Sequence, residues 1–134
     1  NSSNDSDFLI LNPDTVWNHG YLEKIKGMED FYFTNKIKNI LLLVNKNLSF
    51  DKKLKGDFNL LKNKIKKDLK NELIYTGCQI MNKDLFDSYS VSDFSISEVW
   101  NQLISNNQLY GYESFEKFYH LTNLEVYKKL LKNN

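Results

Sequence analysis

Residues 8–17, FLILNPDTVW, decide the fold. Four apolar residues run without interruption into Asn12-Pro13-Asp14, where the hydrophobic pattern stops. A short continuous apolar run closed by turn residues reads as a strand covered on both faces. Pro13 ends its ladder, because it offers no N–H and holds the residue before it extended. Asp14 then stands at the carboxyl end of an inner strand, where open α/β sheets bind ligands. A carboxylate there suits a hard cation such as Mg2+, which takes few protein ligands and keeps oxygen donors from a phosphate. It equally suits an Asx turn or a cap on the next segment. The strand alone leaves both roles open.

Outward from this strand, residues 20–33 carry Leu22, Ile25, Met28 and Phe31 at intervals of three. That stripe predicts an amphipathic helix with Glu23 and Lys26 outward. Residues 37–44, IKNILLLV, form a second buried strand, since ILLLV shows no polar alternation. The Lys-rich connection at 45–55 holds Lys52, Lys53 and Lys55, which read as a solvated loop or as a phosphate-facing cluster. Residues 59–67 fit a hairpin turning at Lys62-Asn63, and a helix over 54–69 fits the spacing of Leu54, Phe58, Leu61, Ile65 and Leu69 as well. Periodicity does not separate these.

Residues 73–81, LIYTGCQIM, are a third strand with Gly77 inside it, a mark of a bulge or of close approach to the backbone. A helix over 95–105 is capped by Ser95 or Ser97 and packs through Ile96, Val99, Trp100, Leu103 and Ile104. Two short strands at 108–112 and 115–121 follow, then a helix after Asn123 with Leu124, Tyr127, Leu130 and Leu131 inward. Residues 1–7 read as a frayed leader and 8–134 as one domain. Strands alternating with helices predict a layered α/β fold with a mostly parallel mixed sheet.

Composition narrows the function. Lys plus Arg number 18 against 17 Asp plus Glu in 134 residues, so no general charge argument favours nucleic acid or a membrane surface. Arg and Ala are both missing, and any phosphate contact must come from Lys, backbone N–H or metal. Cys78 is alone in an apolar run, which favours a reducing cytoplasm and a small buried side chain over a catalytic thiol. No run approaches the ~18 apolar residues of a membrane helix. Phosphate loops, dinucleotide fingerprints, nucleophile elbows and paired zinc cysteines do not occur, and His19 and His120 lack metal spacing. The chain does not begin with Met, and its first apolar run reads as sheet interior, so a piece of something longer is expected.

Taken in order, FLILNPDTVW, ILLLV, GDFNL, YTGCQIMNKDLF, FSISEVWNQLI, NNQLYGY and NLEVYKKLL resemble the later half of the sugar-phosphate nucleotidyltransferases. On these motifs the chain resembles the N-acetylmuramate-1-phosphate uridylyltransferases and mannose-1-phosphate guanylyltransferases, with similarity over nearly all of 8–131. The resemblance implies a Rossmann-like fold, here the C-terminal portion of the domain. It implies attack of a sugar 1-phosphate on the α-phosphate of a nucleoside triphosphate, giving a nucleotide sugar for envelope synthesis and releasing pyrophosphate. By resemblance, Asp14 is the catalytic Mg2+ ligand with Asn12 beside it, and Gly56, Thr76 and Gly77 line the sugar pocket. His120, in FYHLTNLE, stands where the family places a second metal-binding Asp and is grouped with the substrate-binding residues. The family's Gly-rich triphosphate loop has no counterpart here, and its Glu-Lys after the hairpin has no clear match in IKKDLKNE. The implied partners are the two substrates and a separate N-terminal half or subunit, without nucleic acid or membrane. A non-catalytic sugar-phosphate-binding or assembly module derived from the family is the alternative.

Overall fold

The computed structural model describes residues 7–12, 15, 19–86 and 96–119. Its centre is the strand with the most continuous apolar run. Ile40 to Val44 of β2 (Asn39–Asn45) are fully buried, as expected for a strand covered on both faces. Alternate side chains serve two cores. Ile40, Leu42 and Val44 pack with Tyr21, Ile25, Met28 and Tyr32 of helix α1 (His19–Thr34). Leu41 and Leu43 pack with Val99 and Leu103 of helix α2 (Ile96–Ser105). The fold is therefore a helix–sheet–helix sandwich.

The remaining strands are β1 (Asp7–Leu11), β3 (Asn59–Leu61), β4 (Lys64–Lys66), β5 (Leu73–Asn82) and β6 (Tyr110–Ser114). They form one sheet in the order β1-β5-β2-β6-β4-β3. Among the strands of the described residues, β2 with β6 is the one parallel pair; β1–β5, β2–β5, β3–β4 and β4–β6 are antiparallel. The sheet is mixed, but mostly antiparallel rather than mostly parallel. β1, β2 and β6 do run the same way, yet β5 lies between the first two and runs against both. Apolar periodicity reports burial and carries no strand direction, which is why the parallel share was overstated.

Two further expectations change. β1 pairs only with β5 among the described residues, and Phe8 to Leu11 are 42–46% exposed. Among the described residues it is an edge strand, not an inner one; four apolar residues in a row show what a strand suits, not what covers it. Asp7 is its first residue and accepts from Tyr32 Oη at 2.7 Å. On α1 the buried set is Tyr21, Ile25, Met28 and Tyr32, with Leu22 52% exposed. Steps of four, three and four track a helix of about 3.6 residues per turn, whereas repeated steps of three drift off the face.

Local closures account for the boundaries. Lys36 is left-handed at φ 54°, Ile37 N donates to Tyr32 O and Lys36 N to Phe33 O, which is a Schellman end to α1. Asn107, at φ 58°, ends α2 in the same way: Gln108 N donates to Leu103 O and Asn107 N to Ile104 O. At 59–67 the hairpin prevails over the helix. Lys62 and Asn63 take φ 52° and 66°, the two-residue turn that matches strand twist. Asn63 Nδ2 then donates to Gly111 O at 3.1 Å, fastening the hairpin to β6. Ser97 lies inside the first turn of α2, not at its cap. Of the expected strand at 115–121, the described residues 115–119 show a bridge between Phe118 and Ser49, and the rest lies outside the described residues. Ser95 and the helix after Asn123 lie outside the described residues.

Cys78 sits in the α1-side core, where burial, with a smaller contribution from Glu29, pushes its thiol from 9.0 up to about 12. An unfolded chain releases this proton near pH 9 and the folded chain does not. Stability should therefore fall between pH 9 and 12, by about 1.4 kcal/mol per pH unit at most from this group. Cys78→Ala should lose that part of the alkaline slope in urea titrations at successive pH values. Iodoacetamide at pH 8 should label the denatured thiol and spare the native one; equal rates in both states would contradict the burial argument.

Candidate functional site

The site is built on a bulge in β5. Leu41 pairs with Gln79 and Leu43 with Tyr75, so two steps along β2 oppose four along β5. The extra residues at 76–78 put Gly77 at φ 96°, with a backbone that most side chains resist. The carboxyl end of β1 meets the bulge there. Asn12 N donates to Gly77 O at 2.8 Å, and a Cβ added at Gly77 would lie 2.4 Å from Asn12 Cβ.

Buried hydroxyls pin the corner. Thr76 Oγ1 donates to Leu42 O at 2.9 Å, and Thr15 Oγ1 donates to Thr76 O at 2.7 Å. Thr15 N also donates to Asn12 O at 3.3 Å. The residues on either side of positions 13 and 14 are thus tied to β5 and to each other. Thr15 is buried and belongs to this corner, though nothing in NPDTVW distinguishes it from an ordinary turn threonine. Asn12, Thr76 and Gly77 are brought together; Asp14 and His120 lie outside the described residues.

Gly56 lies in a neighbouring cleft of about 340 Å³, with Asp57, Lys67, Asn71, Tyr75 and Trp100 on its walls. A Cβ at Gly56 would sit 1.9 Å from the Asn71 carbonyl oxygen, so only glycine admits this approach. Asp57 Oδ2 accepts from Tyr75 N at 3.0 Å, but Gly56 itself packs on Asn71 and Glu72 and is not brought to the Asn12 corner. Trp100 meets Tyr75 edge-on, with ring centroids 5.0 Å apart. Burial raises the Tyr75 phenol well above its ordinary range, so it remains a neutral hydrogen-bonding group. Among the described residues, no three His, Cys, Asp or Glu side chains converge as a metal cage. His19 opens α1 on the exposed surface.

Gly77→Ala should destabilise the fold by about 1–3 kcal/mol, from backbone strain and the clash with Asn12. Adding Asn12→Gly should restore the clash component and leave the strain, so the double variant should unfold between Gly77→Ala and the parent chain in a denaturant titration. A double variant no more stable than Gly77→Ala would show that the close approach costs nothing.

No protein-family model matches the chain, and no curated protein matches its sequence. Solved structures do match in shape. A Bacillus anthracis protein named as a glucose-1-phosphate thymidylyltransferase, solved with sucrose, superposes with a TM-score of 0.68 at 12% identity, over 93% of this chain and 53% of its own. A UDP-glucose pyrophosphorylase in its apo form gives 0.65 at 15% identity, over 96% and 55%. An inositol-1-phosphate CTP transferase from T. maritima gives 0.65 at 15% identity, over 97% and 57%. The chain spans about half the length of each. At these identities the likeness is one of fold, and over that half the chain has the fold of the solved sugar-phosphate nucleotidyltransferases.

Proposed function

We propose that this chain is the sugar-phosphate-binding half of a nucleotidyltransferase, joining a sugar 1-phosphate to the nucleotidyl group of a nucleoside triphosphate. The observation that carries the reading is the meeting of Asn12 and Gly77 at the carboxyl end of β1, within that shared fold. A sugar-phosphate oxygen attacks the α-phosphorus; that P–O bond forms as the bond to the bridging oxygen breaks, and its electron pair leaves with pyrophosphate. Such a transfer needs in-line placement and charge neutralisation more than a covalent nucleophile.

The roles follow the chemistry of each group. Gly56, Thr76 and Gly77 line the sugar side, where missing or small side chains leave backbone groups within reach of hydroxyls. His120 contributes to substrate binding. The donor suited to Mg2+ is the Asp14 carboxylate, a hard oxygen that fits a cation otherwise held by phosphate and water, with Asn12 beside it on the substrate. When bound, Mg2+ would neutralise charge developing on the phosphate oxygens. The donors are soluble nucleotides, and we place the reaction in the cytoplasm. Among the described residues no helix is long and apolar enough to cross a membrane.

Calorimetric titration of glucose 1-phosphate into the whole chain should show binding that strengthens with Mg2+. Asp14→Asn should weaken the Mg2+-supported affinity by about 10- to 100-fold while leaving the melting temperature near that of the parent. Binding that ignores both Mg2+ and the substitution would remove Asp14 from its role. Binding without pyrophosphate release from any nucleoside triphosphate would favour the non-catalytic module, and no binding would defeat the reading.

A further inference from the structure

The connection following β2 faces the segment before β5 across a cleft of about 750 Å³. Among the described residues, Lys46, Lys52, Lys53, Lys55 and Lys70 line it, with Glu72 as the one carboxylate. Three of these lysines are visible as a run in the sequence; the fold adds Lys46 and Lys70 from either side and makes the surface concave. The whole chain carries a net charge of only +1, so this density of cations is local.

Two of the five are engaged. Lys46 Nζ is 3.4 Å from a Glu72 carboxylate oxygen, and Lys52 Nζ donates to Asn47 O at 2.9 Å. The ammonium groups of Lys53, Lys55 and Lys70 have no partner among the described residues. Like charges gathered on one concave surface raise the potential between them and favour a polyvalent anion. Lysine ammoniums are point donors without a fork, so they suit phosphate oxygens spread along a chain more than one planar carboxylate.

We propose that this cleft binds a condensed phosphate, inorganic pyrophosphate or the polyphosphate chain of a nucleotide. The lining side chains leave a net charge of +4, and a single phosphate brings about −1.5 to −2. One phosphate therefore leaves half or more of the cleft charge unmet; each further phosphoryl group linked to it adds negative charge, so a condensed phosphate comes closer to matching it. The cleft contains none of Asn12, Thr76 or Gly77, and the inference does not rest on the transfer reaction. It does share Gly56 and Asn71 with the aromatic cleft beside Tyr75, so the two ligand positions adjoin.

The test is calorimetric titration of sodium pyrophosphate into the whole chain at low salt and without Mg2+. One-to-one binding is expected, weakening as salt rises and weaker for monophosphate. A triple variant, Lys53→Gln with Lys55→Gln and Lys70→Gln, should lose affinity by about tenfold or more. A control with the same charge loss elsewhere, Lys24→Gln with Lys26→Gln and Lys83→Gln, should bind as the parent does. Equal weakening in both variants, equal affinity for monophosphate, or no binding by the parent overturns the proposal. Sugar 1-phosphate binding at the Asn12 corner, read with Asp14→Asn, succeeds or fails separately.

Discussion

β5 lies between β1 and β2 and runs against both, and the placement of the lysine cleft and the aromatic cleft follows from that wedge. Because β1, β2 and β6 share a direction, their carboxyl ends at Leu11, Asn45 and Ser114 lie on one side of the sheet. An antiparallel β5 must begin on that same side. The chain between β2 and β5 therefore starts and finishes there, and its excursion through the β3–β4 hairpin leaves residues 46–57 and 67–72 flanking the strand ends. The lysine cleft and the aromatic cleft are products of this return path. In an all-parallel sheet, residues with this composition would have been divided between the two ends.

The Asn12 corner and the lysine cleft are held by opposite means. At the corner, Thr15, Thr76 and Leu42 form a chain of buried hydrogen bonds, and loss of a buried partner costs about 1–3 kcal/mol. In the cleft, the ammonium groups of Lys53, Lys55 and Lys70 have no partner among the described residues and sit on long stems that keep their rotamer freedom. One surface is fixed by buried hydrogen bonds; the other is not.

Burial was largely legible in the sequence. ILLLV and LIYTGCQIM became the two central strands because uninterrupted apolar runs have few other uses in a domain of this size. The Lys62-Asn63 turn resolves the hairpin only through its two left-handed residues, which periodicity does not encode. FLIL read as interior although β1 is an edge, since coverage depends on what lies beside a strand and not on the strand itself. In the candidate site, Pro13 and Gly77 marked Asn12 and the bulge, one by ending a ladder and the other by interrupting it. Thr15 carried no such mark, because its role depends on a partner 61 residues away.

Gly77 shows how a local rule and a tertiary one can be separated. Lys36, Lys62, Asn63 and Asn107 all take positive φ without being glycine. The chain therefore tolerates left-handed backbone in Asn and Lys, at a cost of about 1–2 kcal/mol for an ordinary side chain and less for Asn. Among the described residues Gly77 is the one glycine with positive φ. Its φ of 96° is wider than the 52–66° of the others, and its missing Cβ is where Asn12 packs. Conformation alone would have admitted an asparagine at a turn of this chain. The approach of β1's end to the strand bulge does not, and it is that approach which sets Asn12 against the backbone of β5.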